Sequence, residues 1–167
     1  MNELMRLEPL VGNWDVTLTH AWFLDSLDTE IHGAATVEWY ADAFLLLRGE
    51  FPGRTPEQGG SAWWMAFARN DPRDSYVALY HDDRGVSRVF DMTFADGEWT
   101  LLREDPDFHQ RMVMRVGDDR LDWRAEASDD AGRTWRKDLD YIFTRRTNVA
   151  PIQPLNDRAL SRQNIRR

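Results

Sequence analysis

Cysteine is absent from the 167-residue chain. This excludes a disulfide framework, a thiol nucleophile and thiolate ligation of zinc or an iron–sulfur cluster. Lysine occurs once, at Lys137, so Schiff-base chemistry has a single candidate. The other cations are arginines, and the formal net charge of −8 argues against a nucleic-acid partner, because phosphate contacts need a basic face. No run approaches the roughly 20 apolar residues of a membrane-spanning helix, so membrane insertion is not expected. The opening MNELMRLEPLVGNW has neither an apolar signal core nor a small-residue cleavage site, and the expected location is the cytoplasm. Also missing are a GxSxG nucleophile elbow, a phosphate-binding P-loop, a GxGxxG turn and a His-x-x-x-His pair.

Aromatic residues are plentiful, with eight Trp and eight Phe to supply a core. Their spacing is that of strands. Residues 13–22 place Trp14, Val16, Leu18, His20 and Trp22 on one face, and 61–69 do the same for Trp63, Met65 and Phe67. Two further strands are read at 31–40 and 43–51, followed by the Gly/Pro-rich loop PGRTPEQGG at 52–60. Beyond it, Asp/Gly/Pro turns at 70–75, 82–85, 95–97, 105–107, 117–119 and 129–132 separate strands at about 76–82, 86–94, 98–104, 108–116, 121–128 and 135–145. Such connections are too short for parallel crossovers, so neighbouring strands run antiparallel. The expected fold is all-β: a closed up-and-down barrel of about ten strands, since closure removes exposed edges. Residues 1–146 form this barrel, with a helical turn in ELMRLEPLVG covering one end. Residues 147–167 form a C-terminal tail, either a short helix from Asn156 or disordered. With no open edge a monomer suffices, and a homodimer is the alternative.

The opening Gly12-Asn13-Trp14 resembles the Gly-x-Trp pattern that begins the first strand of calycins, the superfamily of lipocalins and fatty-acid-binding proteins. In that superfamily an Arg ending the last strand packs over this Trp, and the resemblance assigns that structural role to Arg145. The stretch YHDDRGVSRVFDM…DGEWTLLREDPDFHQRM and the final Asp-x-Asp-Tyr strand are similar to an uncharacterised bacterial lipocalin-like family. That likeness spans most of residues 5–146. It implies a lipocalin-like barrel and little about activity.

With Trp14 at the bottom of an ascending first strand, odd strands run up and even strands down. Five polar residues that interrupt apolar stripes then fall near the top: His20, His81, Arg88, Arg103 and Gln110. They are expected to line the upper interior around the polar head of a ligand whose tail lies against Trp63, Phe90, Met112 and Tyr141. No acid shares the expected inward face beside Arg88; Asp138 and Asp140 are read as solvent-facing partners of Arg124 or Arg136. The first functional reading is therefore binding of a small, largely apolar molecule, as carrier or sensor. The arginines extend it to an anionic ligand, because guanidinium pairs well with carboxylate. A cofactor-free isomerase or hydratase using the His/Arg/Gln cluster is the alternative. A third reading is haem binding as in nitrobindin-like calycins, which the resemblance ties to an axial His on a late strand; no His follows His109. His81-Asp82-Asp83 and the Asp105–His109 segment bring oxygen and nitrogen ligands close together, but both lie in turns where Asp is expected, and no metal is assigned.

Overall fold

Tight turns set the topology. The computed structural model describes residues 3–147, and the expected tail lies outside the described residues apart from its first position. The ten strands are β1 (Gly12–Thr19), β2 (Ile31–Tyr40), β3 (Phe44–Glu50), β4 (Ala62–Asn70), β5 (Ser75–Asp82), β6 (Ser87–Ala95), β7 (Glu98–Asp105), β8 (Phe108–Val116), β9 (Arg120–Ser128) and β10 (Arg136–Arg145). Each pairs antiparallel with its sequence neighbours, and β1 pairs with β10 to close the barrel. At the bottom, Asp96 and Gly97 both take positive φ, 53° and 82°, and reverse the chain between β6 and β7 with the twist a hairpin needs. The β2–β3 turn uses Ala41 and Asp42 at φ 52° and 53° for the same purpose, although neither is glycine.

The bottom is plugged by a 3-10 turn over Glu3–Leu10. Its Leu4, Leu7 and Leu10 are fully buried, which is why the apolar residues of this segment recur every three positions. Leu10 also accepts a hydrogen bond from the Trp14 indole at 2.8 Å. Trp14 stands opposite Arg145 across the β1–β10 seam, and the Arg145 guanidinium lies 4.2 Å from the ring centroid. The same guanidinium donates to the carbonyls of Pro9, Val11 and Asp118, so it ties the plug to the seam.

The interior is filled largely by rings. Trp99 and Phe94 pack low in the barrel, 5.1 Å between centroids. Trp63, Trp123, Tyr141 and Phe143 pack high, all mutually within 5.3–6.4 Å. Two glycines in the sheet provide seats for this upper layer. A Cβ at Gly49 would stand 2.5 Å from the Trp63 ring, and one at Gly33 would stand 2.6 Å from the Phe51 ring. Glycine is required at both positions by this close approach rather than by its backbone angles.

Candidate functional site

Four rings form a near-parallel series at the top of the barrel. Phe51 and Tyr141 are 6.2 Å apart at 14°, Tyr141 and Trp63 are 5.3 Å apart at 25°, and Trp63 and Tyr80 are 6.5 Å apart at 24°. Together with Leu18 and Asp82 they line a cavity of about 20 Å³, which is room for about one water molecule. Its roof comes from two loops: Phe23 on the β1–β2 connection, and Arg54, Gly59 and Gly60 on the β3–β4 connection. The expected interior cavity is thus present but small, because the abundant aromatics occupy the barrel.

Two charged networks reach this layer from the barrel wall. In the first, Arg88 on β6 faces inward between Tyr80 and Phe108, 5.8 and 5.1 Å from their centroids. Its Nη1 donates to Gln110 Oε1 at 3.3 Å, and Gln110 Nε2 donates in turn to Asp138 Oδ2. Gln110 and Asp138 are both buried. The expectation that Asp138 faces solvent is corrected here. The register of β10 shifts between Lys137 and Leu139, and this bulge inserts Asp138 as an extra residue and turns it inward. A buried charge without a partner is costly, so the bulge supplies the acid that simple alternation denies to Arg88. The Asp138 carbonyl also accepts the Trp22 N–H at 3.1 Å, which anchors the roof loop to the same bulge.

The second network is Tyr80–Asp82–Arg84. The Tyr80 hydroxyl donates to Asp82 Oδ2 at 2.8 Å, and Arg84 donates to the same oxygen through Nε at 3.1 Å and Nη2 at 2.5 Å. Burial acts to raise the Asp82 carboxyl, but the Arg84 and Tyr80 hydrogen bonds outweigh it and hold the group below its ordinary range. Burial pushes the Tyr80 phenol well above its ordinary value, helped by neighbouring Tyr141 and Asp82. Tyr141 is pushed up in the same way, by burial first and by the Asp138 charge second. Both phenols therefore remain protonated hydrogen-bond donors across the neutral range. Tyr80 spends its proton on Asp82, whereas the Tyr141 hydroxyl has no hydrogen-bond partner among the described residues.

The remaining expected site residues divide sharply. Trp63 and Tyr141 line the cavity, while Phe90 and Met112 are packed in the core beneath it. Arg103 faces inward and is buried, but it is committed to its own turn. It pairs with Asp105 at 2.7 Å and Asp107 at 2.6 Å, and it donates to the Phe108 carbonyl at 2.9 Å. His20 is not in the interior. It lies just past β1 at φ 52°, half exposed, with Nδ1 3.1 Å from Asp140. His81 is also outside, stacked on Trp64 at 4.2 Å and 2.6 Å from the Ser87 hydroxyl. Strand β5 turns Tyr76, Ala78, Tyr80 and Asp82 inward, so Val77, Leu79 and His81 form the outer face.

Separation of the histidines dissolves the expected His/Arg/Gln cluster. His32 is largely exposed, and His109 alternates with buried Gln110 and lies against Gly132 of the β9–β10 loop. No histidine thus faces the interior, and the residues do not fit a haem ligated by histidine. Six participants escaped the sequence reading: Phe51, Tyr80, Asp82, Arg84, Asp138 and Arg54. Of these, Arg54 lines the cavity, and its side chain has no ion pair or hydrogen bond among the described residues.

No protein-family model matches the chain, and no curated protein matches it in sequence. Its fold is similar to that of the crystal structure of Rv2717c from M. tuberculosis, with a TM-score of 0.52. The identity is 11%, and the match covers 87% of this chain and 98% of that one. At that identity the likeness concerns the fold alone, a closed antiparallel β-barrel.

Proposed function

We propose that the upper mouth of the barrel binds one small, largely apolar molecule, as a carrier or sensor. The observation that carries this reading is the cavity between the ring series and the roof loops, where Tyr80 and Asp82 of one charged network and Arg54 join an otherwise apolar lining. Here hydroxyl, guanidinium and carboxylate groups stand beside aromatic rings at the cavity, a mix of polar and apolar groups found in small-molecule sites. A space of about 20 Å³ is far below the several hundred that a bound organic molecule occupies. Binding therefore moves the roof, with Phe23 and the Gly59–Gly60 segment displaced from the mouth.

Native mass spectrometry of freshly isolated protein tests the proposal. A discrete mass excess that disappears on denaturation supports a resident ligand, and its composition identifies the class. Protein that carries no adduct and gains no thermal stability from any member of a small-molecule library contradicts the reading, since a bound ligand stabilises the folded state by mass action.

A further inference from the structure

Among the arginines around the cavity, one side chain is left without a hydrogen bond. Arg84 is paired with Asp82, Arg88 donates to Gln110, which is itself bound to Asp138, and Arg103 is paired with Asp105 and Asp107. The rim acids are engaged as well. Asp83 accepts the Ser61 and Ala62 N–H groups at 3.0–3.2 Å together with the Ser61 hydroxyl, and Glu57 is held by Thr55. Arg54 has none of these partners. It is only partly exposed, its Nη2 would stand 3.4 Å from a Cβ placed on Gly59, and it faces the cavity.

Tyr141 lines the same cavity, and its hydroxyl is also without a hydrogen-bond partner among the described residues. Its proton stays on, because burial and the Asp138 charge both oppose ionisation. Arg54 and Tyr141, one of them cationic, thus line one small space with donors that no described residue accepts, and the buried Trp63 indole N–H is a third such donor. Beside them stands the series Phe51–Tyr141–Trp63–Tyr80, each ring within 25° of the next. Face-to-face offset stacking favours a planar ring over a flexible chain at such a wall.

We infer that the ligand is a planar aromatic carboxylate, its acid group taken by Arg54 and Tyr141 and its ring laid against the aromatic series. The inference rests on the small-molecule reading above and narrows it to a chemical class. Arg54 is the residue that sets charge specificity, whereas Arg88 and Arg84, already hydrogen-bonded within the protein, hold the wall in place.

Calorimetric titration of the full chain with naphthalene-2-carboxylate and with its neutral amide tests this. The carboxylate should bind about tenfold or more tighter than the amide, in line with a hydrogen bond to a charged group. Arg54→Gln should bring the carboxylate down to the affinity of the amide and leave the amide unchanged. Tyr141→Phe should weaken the carboxylate by a smaller factor, and retained melting temperature shows that both variants are folded. Equal binding of the two compounds to the wild type, or a carboxylate affinity untouched by Arg54→Gln, overturns the anion assignment and leaves small-molecule binding standing. Binding of neither compound, in protein that mass spectrometry finds carrying a neutral ligand, likewise overturns the assignment alone. Binding of neither, with no resident ligand, overturns both.

Discussion

Replacing Asp138 with Leu removes the terminal acceptor of the Arg88–Gln110–Asp138 relay without opening a large void. Gln110, 2% exposed, is left with an unsatisfied amide donor, which costs about 1–3 kcal/mol. Arg88 retains partial access to water, so the loss of its counter-charge adds less, about 1 kcal/mol. The single variant should therefore lose about 2–4 kcal/mol, a fall in melting temperature of about 4–16 °C for a chain of this size. The triple variant Asp138→Leu, Gln110→Leu, Arg88→Met removes every polar member and should return to within about 1 kcal/mol of the wild type. Urea unfolding followed by tryptophan emission gives both numbers, with the slope checked for constancy. A single-variant loss below about 0.5 kcal/mol refutes the account of the bulge. So does a triple variant whose loss equals the sum of the three single losses, since additivity means that the groups do not interact.

Other substitutions report on the supports of the site. Gly49→Ala drives a Cβ to 2.5 Å from the Trp63 ring and should cost about 1–3 kcal/mol by overpacking, read as a lower urea midpoint; a neutral result denies that Gly49 seats the ring. Ala41→Gly relieves a left-handed backbone at φ 52° and should raise stability by up to about 1 kcal/mol, net of the greater freedom of glycine in the unfolded chain; a loss in thermal melting contradicts this. Asp130 is held below the ordinary carboxylate range by the Thr134 hydroxyl, the Thr134 N–H and the Ser128 hydroxyl. A carboxyl depressed on folding stabilises above its unfolded value of about 4, and that contribution is lost as pH falls through the folded value. Asp130→Asn should thus be less stable than the wild type at neutral pH, and the gap should close progressively below about pH 4 in acid-unfolding curves; a gap independent of pH contradicts the assignment.

Strand positions were legible because apolar alternation and Asp/Gly/Pro turns repeat around the whole barrel, and the even strand count places Arg145 beside Trp14. Facing was legible only where the outer surface is polar. On β6, Asp91 and Thr93 mark the outside, so Arg88 reads as inward. On β5 both faces are apolar, since Leu79 outside is matched by Ala78 and Tyr80 inside, and the alternation carries no sign. His81 follows that ambiguity to the wrong face. Asp138 is hidden for a different reason: a bulge through Lys137-Asp138-Leu139 has no glycine to announce it, and it inverts parity at one residue. The fate of Arg103 could be read from its spacing, because Arg-x-Asp-x-Asp across a tight turn lets a guanidinium satisfy both acids locally. Arg54 sits in a Gly/Pro-rich loop without periodicity, and only the folded mouth brings it to the cavity.

Nitrogen–proton correlation spectra of the eight indole groups test the proposed site most directly. Trp63 and Trp123 lie in the upper ring layer, Trp14 and Trp99 lie low in the barrel, and Trp64 stands on the outer face. On addition of naphthalene-2-carboxylate or its amide, the indole signals of Trp63 and Trp123 should shift, with Trp22 following as the roof moves. Those of Trp14, Trp99 and Trp64 should stay in place. Shifts confined to Trp64 would put binding on the outside of the barrel, and shifts led by Trp14 and Trp99 would put it at the plugged end; either result contradicts a site at the upper mouth.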